Sequence, residues 1–82
     1  MRPRGLYMRL SELETGIAAK VMKFGLLEDA DVQRLRQLGL NVGSTVEVIS
    51  NNTNGPLLLK IGDARIAANR EVCSQVKVIV AQ

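Results

Sequence analysis

The apolar spacing of this chain changes once, sharply, and that change bounds the fold. In QRLRQLGLNVGSTVEVIS, Gln33 to Ser50, leucines stand three apart up to Leu38, whereas from Gly43 onward Thr45-Val46-Glu47-Val48 alternates with a period of two. A helical stripe and a pleated alternation bury different faces, so a helix must end and a strand begin between them. Gly39 and Gly43 stand at that junction. Upstream, Asp29 reads as an N-cap, and Asp31 suits the positive end of the helix dipole. Val32, Leu35 and Leu38 form the inward stripe of a helix over about 29–38, with Gln33, Arg34, Arg36 and Gln37 toward solvent. Gly39 fits the left-handed position after a helix, and Leu40 is expected to fold back on Leu35 in a Schellman closure.

The rest of the chain reads as short strands separated by turn chemistry. Residues 1–7 form a flexible lead-in broken by Pro3 and Gly5, and 8–82 form one domain. Leu10 and Leu13 sit one helical turn apart, in a segment that Ser11 caps and Gly16 ends. A strand follows to Phe24, with Ile17, Ala19 and Val21 on one face and Lys20 on the other; its alternation fails at Lys23–Phe24, which predicts a bulge or a strand end. Asn51 to Pro56 is a dense turn signal, with Gly55 and Pro56 at its end. Leu57–Ile61 and Ala64–Ala68 pair as a hairpin across Gly62-Asp63. Asn69 caps a short turn reaching Ser74, and Val76–Val80 is the last strand. The expected fold is mainly β: an SH3-like small barrel of about five short antiparallel strands, with one α-helix and short helical turns. Closing a sheet on itself removes exposed edges.

Composition narrows the chemistry. The 82 residues contain no histidine and one cysteine, Cys73. That removes the commonest acid–base group, every Ser–His or Cys–His pair and any cysteine-cluster zinc site. Neither GxGxxG nor GxxxxGK[ST] occurs. The chain therefore reads as a non-enzyme without a cofactor. Cys73 on a short turn reads as a small buried residue rather than a reactive thiol. A lone cysteine suits a reducing compartment, and apolar runs fall far short of the ~20 residues that span a bilayer, so the expected location is the cytoplasm with no membrane insertion. The formal charge is +3, of which Arg2 and Arg4 supply two. Two arginines release few counterions, and Tyr7 and Phe24 are the only aromatic residues, so nucleic acid is a disfavoured partner.

Three groups of side chains qualify as site candidates. Glu28, Asp29 and Asp31 offer oxygen ligands to a hard cation, but consecutive carboxylates at a helix start more simply match its dipole. Arg34 and Arg36, on an exposed rigid helix, are the best polar contacts for an acidic partner. Strand parity supplies the third group. If Val46, Val48, Leu57, Leu59, Val76 and Val78 face inward, Ile49, Leu58 and Ile79 share the outer surface with Glu47, Lys60 and Lys77. Contiguous aliphatics there would form an interface; the alternative is that the helix or terminal turns cover them.

The pattern RLRQLGLNVGSTVEVIS resembles the hallmark of the FeoA family: an arginine-containing helix ending in L-G-[LM], a P-G corner, then a strand. Leu38-Gly39-Leu40 matches the helix end, Gly43 the corner, and Val46 and Val48 the strand. Leu10, Leu13 and Gly16 fit the family's opening, Gly55-Pro56 its G-D-P turn without the acid, and Ala67 to Val78 its closing strand–turn–strand. The similarity spans about 8 to 80. Val42 departs from the usual corner proline, Asn69 from a common basic residue, and Cys73 from a small or aliphatic one. The resemblance implies a small SH3-like barrel of the bacterial cytosol that serves ferrous iron uptake by binding the cytosolic GTPase domain of a FeoB-type permease; a homo-oligomer is left open. The same barrel closes iron-dependent repressors of the DtxR type, but the stretch before Met8 is too short for a helix-turn-helix, so the free-standing form is expected. The alternative is a small barrel that binds nucleic acid or senses a ligand.

Overall fold

A computed structural model describes residues 7–52 and 54–80. Arg2 and Arg4 lie outside the described residues. Six strands form one antiparallel sheet: β1 (Tyr7–Arg9), β2 (Ala18–Phe24), β3 (Thr45–Asn51), β4 (Leu57–Ile61), β5 (Ala64–Ala68) and β6 (Val76–Val80). Their order is β1-β6-β2-β3-β4-β5. Helix α1 (Asp29–Gln37) joins β2 to β3, and a single-turn helix, α2 (Arg70–Cys73), joins β5 to β6. A 3₁₀ turn (Leu10–Glu12) follows β1. The architecture is the expected mainly β, SH3-like small barrel, with one strand more than the sequence showed. That strand begins inside the expected lead-in, because Tyr7 pairs with Ile79 and Arg9 with Lys77.

The core follows the strand alternation. Ala19, Val21, Val46, Val48, Leu57, Leu59, Val76 and Val78 are all buried from the sheet's inner face. Leu10 and Leu13 close one end with Cys73, and all three are fully buried. Two bulges curl the sheet. β2 shifts register against β6 between Val21 and Lys23, and β3 against β4 between Val48 and Ser50. Each extra residue adds twist and turns the strand beyond it.

The corner between α1 and β3 forms as its glycines require. Gly39 has φ +96°; its N–H donates to Arg36 O at 3.0 Å, and Leu40 N–H donates to Leu35 O at 2.9 Å. Those two bonds are the Schellman pair, and Leu40 packs in the core with Leu35. The next turn places Gly43 at φ +94° as its third residue, with Ser44 N–H donating to Asn41 O at 2.9 Å. Positive φ at the third position marks a type II turn. The Ser44 hydroxyl donates to Gly39 O and accepts from Asn41 N, both at 3.0 Å, so it ties the two turns together. The corner is fixed to the sheet by Gly43 N–H donating to Val21 O at 2.8 Å.

Several local expectations need correction. The α1 N-cap is Glu28, without a side-chain cap, and Asp29 is already helical. Ser11 lies inside its 3₁₀ turn; Arg9 caps it, with Arg9 N–H donating to Glu12 Oε1 at 3.3 Å. Ile17 is exposed rather than sharing the buried face of Ala19 and Val21. Leu38 is 39% exposed, so the inward stripe reduces to Leu35 with part of Val32. Gly55 and Pro56 connect β3 to β4, as the turn signal there implies.

Candidate functional site

Helix α1 crosses beside the edge strand β5 and the short helix α2, and the junction leaves a groove. Leu35 anchors α1 in the core, which directs Asp31, Arg34 and Leu38 along the groove's near wall. Ile66, Ala67 and Ala68 of β5 form its floor with Asn69 and Val72 at the start of α2, and the cavity holds about 360 Å³. Asn69 shapes that end: its side-chain oxygen accepts from Glu71 N at 3.1 Å and Val72 N at 3.3 Å, which starts α2 and turns Val72 into the groove.

The groove continues past Asp31 and Val72 into a second recess lined by Leu26, Leu27, Glu28, Glu71, Ser74 and Gln75. Leu26 is 90% exposed, while Leu27 packs against the core. The Gln75 side chain holds this loop by accepting from Leu26 N at 3.0 Å. The combined surface is a mixed polar and apolar trough, with Leu38 and Leu26 standing free near its two ends and Arg34, Asp31, Glu28 and Glu71 among its charged lining. A trough of this kind takes an apolar side chain or a helix from a partner and orients it by charge.

The structure divides the sequence candidates. Arg34 lines the groove; Arg36 is exposed and does not. Glu28 and Asp31 line the recess, but with Asp29 they form no metal-binding group, and none of three or more His, Cys, Asp or Glu side chains exists among the described residues. Ile49, Leu58 and Ile79 are each half-buried. The bulge in β3 displaces Ile49, since Val48 pairs with Leu59 and Ser50 with Leu58. Ile79 sits two strands from β3, opposite Lys20. Ile49 thus stays beside Leu58 as the extra residue of the bulge, while Ile79 is set apart from both by β2. Among the described residues, the exposed large apolar ones are Tyr7, Ile17, Leu26, Leu38 and Val42. Adjacent leucines at Leu26–Leu27, in a loop where Leu27 packs on the core and Leu26 does not, carry the signal for the Leu26 end of the groove. Cys73 lines no part of the groove, and burial pushes its thiol up to about 11, against a weak opposing pull from Arg70.

Comparison with known proteins places this geometry in context. A profile of the family described as FeoA domain matches residues 8–80. An FeoA protein from Stenotrophomonas maltophilia, solved with zinc and put forward as an SH3 domain protein activating bacterial ferrous iron transport, is 33% identical, with a TM-score of 0.76 over 87% of this chain and 88% of that one. An FeoA protein from Chlorobium tepidum is 28% identical, with a TM-score of 0.84 over 92% of this chain and 71% of that one. An iron uptake regulatory protein, also FeoA, is 25% identical, with a TM-score of 0.82 over 92% and 97%. A manganese-dependent transcriptional repressor bound to manganese shares the fold alone, at 13% identity and a TM-score of 0.85; this chain spans 39% of it. No curated protein gives a significant match. Among the described residues, no helix is long and apolar enough to cross a membrane.

Proposed function

Because the chain belongs to the FeoA family, we propose that it is a non-catalytic accessory protein of bacterial ferrous iron transport that binds the cytosolic GTPase domain of a FeoB-type permease and modulates its activity. The observation that carries the reading is the groove between α1, β5 and α2, with the half-exposed Leu38 and the exposed Leu26 near its two ends. Both leucines are affordable losses for folding, so an occupant that covers them gains apolar burial without competing with the core. Arg34 toward the Leu38 end and Glu28, Asp31 and Glu71 toward the Leu26 end fix the direction in which a partner segment lies. The protein acts from the cytoplasmic face of the membrane, where the GTPase domain is accessible.

The test is direct titration of the purified GTPase domain, in solution, with the wild-type chain and with Leu38→Glu and Arg34→Glu. Binding to the wild type that weakens at least tenfold in Leu38→Glu, with an unchanged melting temperature, supports the groove. Binding equal across the three proteins removes the groove from the interface, and absence of binding removes the partner.

A further inference from the structure

Opposite charges facing one another across a sheet are stabilising, yet one row here does the reverse. Arg9 of β1 pairs with Lys77 of β6, and Lys77 pairs with Lys23 of β2. Residues directly opposite in an antiparallel pair have Cβ atoms only about 5 Å apart, and like charges there are unfavourable. The bulge in β2 is what completes the row. Val21 pairs with the buried Val78; the register then shifts, and Lys23 arrives on the outer face opposite Lys77. Lys20 adds a fourth cation to the same face, opposite Ile79, and Tyr7 flanks Ile79 on the other side. Tyr7 is 55% exposed. The row opens onto a broad recess of about 670 Å³ lined by Tyr7, Met8, Arg9, Glu12, Lys23 and Lys77. Glu12 is the one acid on that lining, and its carboxylate accepts the Arg9 backbone N–H.

We propose that this outer face of β1, β6 and β2 docks peripherally on an anionic lipid bilayer. The inference rests on the proposed role beside a membrane permease and adds a second contact, separate from the groove. Clustered cations beside an anionic leaflet gain from its surface potential, and their aliphatic stems lie along the headgroup layer. An exposed tyrosine next to an isoleucine suits that layer, where an aromatic ring meets apolar and polar surroundings at once. The recess is wide and shallow, which suits an array of headgroups. Nucleic acid is less well matched: the face is a sheet with no helix to enter a groove and one aromatic side chain for stacking. An acidic peptide would satisfy the cations but gives no role to Tyr7 and Ile79 together.

The experiment is co-sedimentation of the full chain with vesicles of phosphatidylglycerol and phosphatidylcholine, against phosphatidylcholine alone, at low and high salt. Binding is expected only to the anionic vesicles and should disappear at high salt. Each surface cation contributes about fivefold, so Lys23→Gln with Lys77→Gln should weaken partitioning about 25-fold. Thermal melts of this variant should match or exceed the wild type, because the like-charge row is relieved. Parallel titrations use polyglutamate and single-stranded DNA at the same ionic strength. Equal binding to neutral vesicles, an unchanged affinity in the double variant, or tighter variant-sensitive binding to polyglutamate or DNA would each overturn the lipid assignment. The GTPase-domain titration contains no lipid, so failure of either experiment leaves the other standing.

Discussion

Alanine at Gly39 and alanine at Gly43 separate two costs that usually come together. Both glycines have nearly the same left-handed backbone, φ +96° and +94°. A Cβ at Gly43 meets nothing within 4 Å, whereas a Cβ at Gly39 lies 3.3 Å from Ile61 Cγ2. At Gly43 only conformation changes: the left-handed region costs an L-residue about 1–2 kcal/mol, and the stiffer unfolded chain returns about 0.4–1 kcal/mol. The net loss for Gly43→Ala is therefore about 1 kcal/mol. Gly39→Ala carries the same loss plus the crowding. Ile61 ends β4 and belongs to the core, so it yields only by disturbing its neighbours. Mild overpacking of this kind costs about 1 kcal/mol, near the low end for core insertions. Gly39→Ala should thus lose about 2 kcal/mol. Urea unfolding, with midpoints compared at constant m, measures both. Ile61→Ala in the two backgrounds completes a cycle: the coupling should be about 1 kcal/mol with Gly39→Ala and near zero with Gly43→Ala. A Gly43→Ala loss equal to or larger than the Gly39→Ala loss would refute the geometry of the corner.

Other outcomes follow from single contacts. Leu35→Ala should destabilise by about 2–5 kcal/mol in the same urea assay, because Leu35 is the buried residue of α1. Val42→Pro should raise stability by about 0.4–1 kcal/mol, since Val42 is the second residue of a type II turn and is 61% exposed; a lower melting temperature would contradict that turn. Asn69→Ala removes the acceptor for two N–H groups and should cost about 1 kcal/mol. The Cys73 thiol rises on folding from 9.0 to about 11, so folding favours its protonated form. The stabilisation is complete below about pH 9 and is lost as pH rises toward about 11, which pH-dependent melts of wild type and Cys73→Ala will separate.

What the sequence revealed was whatever short-range chemistry determines. The α1 body, the Schellman bonds at Gly39, the turn at Gly43, the hairpin at Gly62-Asp63 and the Asn69 cap each depend on a few neighbouring residues, and each formed as expected. Leu38 shows where spacing misleads. A residue three positions along a helix lies about 60° short of a full turn, so Leu38 sits about 120° around from Val32. With Leu35 inward, Leu38 falls at the margin and becomes a groove wall. Strand β1 has three residues and no alternation to read; its existence depends on β6, some seventy residues later in the chain. The spacing of Ile49, Leu58 and Ile79 was hidden for the same reason, because strand order, which puts β2 between β6 and β3, is a property of the whole sheet and not of any one segment. The cation row is likewise a product of register, and Arg9, Lys23 and Lys77 carry no common signature in the chain.

The side chain of Asn51 joins three distant segments. Its Nδ2 donates to Ser11 O at 3.2 Å and Leu13 O at 3.1 Å, and its Oδ1 accepts from Arg70 at 2.8 Å, while Arg70 also donates to the Asn52 carbonyl. The 3₁₀ turn, the end of β3 and α2 are thereby coupled through one amide. In native-state hydrogen exchange, these segments should open together as one cooperative unit, distinct from the α1–β3 corner. That arrangement lets the α2 side of the groove stay anchored to the closed end of the barrel while the α1 side opens independently.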